Sequence, residues 1–129
     1  MQKIRTSDAP EPAGHYSQAI EHEGLVFVSG QLPKDPNTGE LTGESIEQQT
    51  RLVLQHLKAI LIAANSDMRH LVKVNIYIPD IALWDRVNHI YREFMADHQP
   101  ARAVIPTGEL HLGAKIEVEA VAAVRSREE

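Results

Sequence analysis

Cysteine is absent from the 129-residue chain, which excludes disulfides, thiolate nucleophiles and thiolate metal ligands. Such a composition suits a reducing compartment. Long apolar runs are also missing. The longest, AILIAA from Ala59 to Ala64, falls far short of the ~20 residues a membrane-spanning helix needs. The opening stretch MQKIRTSDAPEP lacks the apolar core of a secretory leader, so a soluble, cytoplasmic protein with no membrane partner is expected. Positive charge is not concentrated anywhere. Lys and Arg number 13 against 18 Asp and Glu, a net charge of −5, and no basic run offers a phosphate-backbone footprint. Nucleic acid is therefore not an expected partner. The seven histidines form neither HxH nor HExxH, and no glycine-rich phosphate loop or GxSxG elbow occurs. No metal and no cofactor are expected, and no spacing brings a Ser-His-Asp triad together.

What is present is an ordinary core in a single domain, residues 1–129. Hydrophobic residues make up 43% and charged residues 24%, enough apolar surface to fold a chain of this length without staples. DAPEPAG (8–14) reads as a loop. HYSQAIEHEGLVFVSGQ reads as a β-hairpin turning at Glu23-Gly24, and LPKDPNTGELTG as a long loop turning at Asn37-Thr38-Gly39. Ser45 with Gln48 makes a capping box, and Ile46, Val53, Leu57, Ile60, Leu61 and Ala64 recur at helical spacing, predicting a helix to about Ala64. LVKVNIYI (71–78) alternates as a strand. Asp80 can cap a second helix with Ile81, Trp84, Val87, Tyr91 and Phe94 on one side, broken by HQPA at Pro100. RAVIP and the opening residues supply short extended pieces.

GAKIEVEAVAAV (113–124) alternates as a last strand. Ile116, Val118, Ala120, Ala122 and Val124 form one face; Glu117, Glu119, Val121 and Ala123 form the other. The order β-β-β-α-β-α-β-β predicts an α+β fold with two helices on one face of a mixed sheet. The second face, with Asn75, Tyr77, Glu117, Val121 and Ala123, mixes polar and apolar groups. That composition fits contact with another subunit better than bulk water, and two buried carboxylates there would need partners or water.

YSQAI after a glycine, VSGQLP.D..TGE, the asparagine of RVNHIY, PAR before a short strand, and KIEVEAVA run in order along nearly the whole chain. Together they resemble the RidA (YjgF/UK114) family. The resemblance implies a chorismate-mutase-like fold, assembled as a homotrimer whose sheets form a central barrel, with ligand clefts between subunits. It also implies cofactor-free hydrolysis of 2-imino and 2-enamino acids (2-aminoacrylate, 2-iminopropanoate, 2-iminobutanoate) to 2-keto acids and ammonia. Arg102 matches the arginine that holds the substrate carboxylate, Glu117 the glutamate that handles water and proton, and Tyr16 the cleft tyrosine that orients them. Ser29, Gly30 and Asn88 match ligand-contacting positions. Val104 stands where many members have cysteine, in a position whose contact runs through the main chain. Glu119, two residues beyond Glu117 on the same strand face, is expected to be a structural or interface acid. The loop IPTGELHLG departs from the commoner family loop, and its His111, within reach of the cleft, is taken as a loop histidine. Within the family a non-enzymatic trimer that binds small carboxylates as a regulator is the competing expectation, and an endoribonuclease or translation inhibitor a weaker one.

Overall fold

The computed structural model of the chain describes residues 1–126. Its strands are β1 (Gln2–Ile4), β2 (Ala19–His22), β3 (Leu25–Gln31), β4 (Leu71–Ile78), β5 (Ala101–Pro106) and β6 (Glu117–Ala123); its helices are α1 (Ile46–Ala63) and α2 (Trp84–Met95). One six-stranded sheet has the order β1-β2-β3-β6-β4-β5. Only β4 and β5 run parallel, joined through α2. The mixed sheet with two helices matches the expected fold class.

Local chemistry explains most element boundaries. Glu23 (φ 51°) and Gly24 (φ 81°) both sit in the left-handed region, the conformation a tight two-residue hairpin demands. The capping box of α1 is made: Ser45 Oγ accepts from Gln48 N (3.1 Å), and Gln48 Oε1 accepts from Ser45 N (3.2 Å). Ala64 caps the other end, and Asn65 takes the left-handed φ of 58° that stops helix propagation.

Two boundaries differ from expectation. Asp80 does cap, but its Oδ1 accepts from Ala82 N (2.9 Å) at a 3₁₀ turn, Ile81–Leu83, and the α-helix starts only at Trp84. Ile81 is consequently left outside the buried stripe, 54% exposed. The helix also stops at Met95, well before Pro100. Ala96 has φ 52°, and the His98 ring donates to Leu71 O (2.8 Å), which pulls the chain off the helix axis toward the start of β4. Regular pairing in the last strand begins at Glu117. Ahead of it, His111–Gly113 form a 3₁₀ turn, and Lys115 N donates to Gln49 Oε1 (2.8 Å).

The core lies between the helices and one sheet face. Val53, Leu54, Leu57, Ile60 and Leu61 of α1 meet Val26, Val74, Ile76, Val118 and Ala122, all essentially sealed from solvent. Burying side chains of this size is worth roughly 1.5–3 kcal/mol each before entropy is counted. The other sheet face is bare. Phe27 is 45% exposed, and Val121 pairs with Phe27 on one side and Lys73 on the other. Among the described residues, no helix is long and apolar enough to cross a membrane.

Candidate active site

Strand β3 is irregular where it passes β6. Val28 pairs with Ala120 and Gln31 with Val118, so Ser29 and Gly30 together oppose the single residue Glu119. Such a bulge bends a strand and re-aims its neighbours. Ser29 is fixed in place, its N donating to Gln18 O (2.9 Å) and its Oγ to Ser17 O (2.6 Å). Gly30 is packed against the Glu117 side chain so closely that a Cβ would fall on the carboxylate. Tyr16 stands at the rim, 48% exposed, with its hydroxyl accepting from Ala13 N (3.2 Å).

Tyr16, Ser29, Gly30, Lys34, His111 and Glu117 line one cavity of about 560 Å³. The two glutamates of β6 behave differently in it. Glu119 accepts from Tyr77 Oη (2.6 Å) and from Asn75 Nδ2 (3.1 Å), which fixes it as a cross-strand acid. Glu117 has no such partner among the described residues. Burial raises its pKa above the ordinary carboxylate value, the charge of Glu119 raises it further, and His111 opposes both. A carboxyl with a raised pKa holds a proton more readily than a free one, which suits it to general acid–base work.

Arg102 lies elsewhere. Its Nη1 donates to Asn88 Oδ1 (2.8 Å), and its guanidinium sits 4.8 Å from the Tyr91 ring centre and 5.5 Å from that of Trp84. A planar cation lying over two rings is held in one orientation, and its other N–H groups make no hydrogen bond among the described residues. Asn88 thus faces the arginine rather than bulk solvent. Asn88, Tyr91 and Arg102 line a second cavity of about 540 Å³, between α2 and the start of β5. Val104 of β5, half-buried, pairs with Ile76 of β4, and β5 is the sheet edge, whose outer main-chain groups have no strand beside them among the described residues.

Strand register explains why the halves are apart. Arg102 pairs with Val74, and Val74 with Ala120, a row on the core face. Glu117 pairs with Tyr77, and Tyr77 with Ile105, a row on the bare face. Within one chain Arg102 and Glu117 therefore point to opposite sides of the sheet. The structure brings Tyr16, Ser29, Gly30 and Glu117 together, and separately Arg102 and Asn88. Lys34 and His111 line the Glu117 cavity although the sequence marks neither as a site residue. The one available signal was a basic residue shortly after the bulge and another shortly before β6. Among the described residues, no three His, Asp or Glu side chains converge as a metal site.

Residues 6–124 match the family model described as Endoribonuclease L-PSP. The chain belongs to the RidA (YjgF) family. Its relatives include a RutC family protein of Pyrococcus horikoshii, 40% identical over 119 residues, which cover 92% of this chain and 94% of that one. The chloroplastic Reactive Intermediate Deaminase A of Arabidopsis thaliana is 41% identical over 119 residues, 92% of this chain and 64% of that protein. Among solved structures, Escherichia coli TdcF with bound serine superposes with a TM-score of 0.90 at 34% identity, covering 98% of this chain and all of that one. At such identities the RidA fold and its strand order are shared along the length of the domain.

Proposed function

We propose that this RidA-family chain hydrolyses reactive 2-imino and 2-enamino acids, 2-aminoacrylate, 2-iminopropanoate and 2-iminobutanoate among them, to 2-keto acids and ammonia. The observation that carries the reading is the unpartnered Glu117, its carboxyl pKa raised by burial, beside the Ser29-Gly30 bulge in an open cavity. The names of two relatives point the same way: one is called a reactive intermediate deaminase, and the other was solved with a small amino acid bound.

Each group has a defined task. Arg102, preset by Asn88 and the two rings, grips the substrate carboxylate with paired charge-assisted hydrogen bonds. Main-chain groups at Ser29, Gly30 and Val104 hold the reacting end, and Tyr16 orients it. Water oxygen bonds to the imine carbon while the C=N π pair moves to nitrogen. Glu117 takes the water proton and passes it to that nitrogen. Glu117 then takes the hydroxyl proton and delivers it to the amino nitrogen as the O–H pair becomes the second C=O bond and the C–N pair leaves with the nitrogen, releasing ammonia.

Because Arg102 and Glu117 lie on opposite sheet faces, the complete site needs a second copy. A homotrimer closing its bare faces around an axis would cover Phe27, Val121 and Ala123. It would also set the partner subunit's Arg102 against the Glu117 cavity. The test generates imine in situ with an amino acid oxidase and traps it as semicarbazone. The protein should suppress semicarbazone formation in proportion to its concentration; unchanged trapping would refute the activity.

A further inference from the structure

Lys34 does not match its surroundings. It lies in a loop between Pro33 and Pro36, where a lysine would ordinarily extend into water, yet only 6% of it is exposed. Lysine is almost never buried to this degree without a partner. Its backbone is anchored, its carbonyl accepting from His56 Nε2 (2.7 Å). Its ammonium has no hydrogen-bond acceptor and no carboxylate partner among the described residues. Tyr91 Oη is the one fully buried side-chain polar atom left without a partner among them, so the Lys34 ammonium still reaches open space. That is the geometry of a long side chain whose stem is packed and whose charged end emerges.

Where it emerges is defined by the walls it shares. Lys34 lines the Glu117 cavity and a smaller recess joined to it through Tyr16, Gly30 and Leu32. The carboxylates nearby do not take it up: Glu119 is held by Tyr77 and Asn75, and no ion pair joins Lys34 to Glu117. His111, on the turn before β6, is the only other basic side chain lining the cavity among the described residues.

We propose that Lys34 is a specificity-determining residue that reads an anionic side chain, so that the cavity favours 2-imino and 2-keto acids carrying a second carboxylate. The inference rests on the site described under Proposed function. There, the partner subunit's Arg102 holds the first carboxylate, and Lys34 meets the second at the other end. Repulsion from Glu117 and Glu119 confines that second carboxylate to the Lys34 wall. A cavity of about 560 Å³ has room for a five-carbon dicarboxylate. A monocarboxylate leaves the ammonium unpaired and gains nothing from it, which is how a charge fixed in a cavity wall discriminates.

The test needs two matched ligands and one variant. The unsubstituted protein should bind 2-oxoglutarate at least tenfold more tightly than 2-oxobutanoate by titration calorimetry. It should also show the corresponding preference in kcat/KM for 2-iminoglutarate over 2-iminobutanoate. Lys34→Met, which keeps the stem and removes the charge, should lower both ratios roughly 10- to 100-fold, the range for losing one charge-assisted hydrogen bond. Equal affinity for the two keto acids in the unsubstituted protein would overturn the proposal without any variant. A preference that survives Lys34→Met would overturn it too. If no imine is turned over, the deaminase reading fails, and the keto-acid binding ratios alone decide the role of Lys34.

Discussion

Gly30→Ala should separate catalysis from stability. Gly30 has no left-handed backbone angle to protect, so alanine is allowed on conformational grounds. Its Cβ would occupy the place of the Glu117 carboxylate, with the nearest other contacts on the same side chain, Cδ at 3.1 Å and Cγ at 3.4 Å. Everything in the way therefore belongs to the end of one flexible side chain, not to backbone. Glu117 can rotate aside, at a cost of about 0.5–1.5 kcal/mol if it leaves a favoured rotamer. Replacing a strand glycine recovers about 0.5–1 kcal/mol of backbone entropy. The two terms nearly cancel, and the unfolding midpoint should move by only a few degrees.

Activity should not survive the same change. A carboxylate displaced by about an ångström from the attacking water is expected to lose on the order of 10²-fold in rate. The pair of measurements is thermal unfolding followed by circular dichroism, and semicarbazone suppression at matched protein concentration. A stable Gly30→Ala protein with full activity would refute the role given to Glu117, because its carboxylate cannot remain where it is. A variant that fails to fold would refute the packing argument instead.

Four further outcomes are expected. Arg102→Ala should abolish turnover and weaken keto-acid binding by roughly 1.5–3 kcal/mol, and Arg102→Lys should rescue little because it lacks the planar fork; full activity in a folded Arg102→Ala protein would remove it from the site. Glu117→Gln should cut the rate ~10²–10⁴-fold while calorimetry still detects ligand, whereas an unchanged rate would favour a binding protein over a hydrolase. His56 is buried, and desolvation holds its pKa below the ordinary 6.5. Below that value the unfolded chain takes up a proton the folded chain resists, so stability should fall as pH drops from 7.5 to 5.5. Urea midpoints of the parent and His56→Gln should diverge over that window, and parallel midpoints would rule His56 out. Light scattering after size exclusion should give a mass near three times 14.4 kDa, and a monomer that turns over imine would contradict the shared site.

The residues that set local structure were legible in the sequence. Ser45 and Gln48 announced the start of α1, Glu23-Gly24 the hairpin, and the alternation of Val74, Ile76 and Ile78 the inward face of β4. Each signal is a contact within a few residues, or a period that one element imposes on its own side chains. The start of α2 was less legible, because a capping aspartate looks the same before a 3₁₀ turn as before an α-helix. Its end was hidden too, since a His98 contact to β4 decides it. Lys34 reads as a solvated loop lysine, and only the fold of the loop over Tyr16 and Gly30 buries its stem.

The relation between Arg102 and Glu117 was the least accessible. Alternation places each on a face of its own strand, but whether the faces agree depends on the register of β5 and β6 against β4. A shift of one residue in either pairing would reverse the answer. As paired, the arginine joins the helical side and the glutamate the bare side, and no side-chain rotation crosses a sheet sealed by Val74, Ile76, Val118 and Ala120. On the proposed reading, the same register that fills the core also prevents one chain from completing its site. Covering Phe27 and Val121 and completing the site then become a single event of assembly.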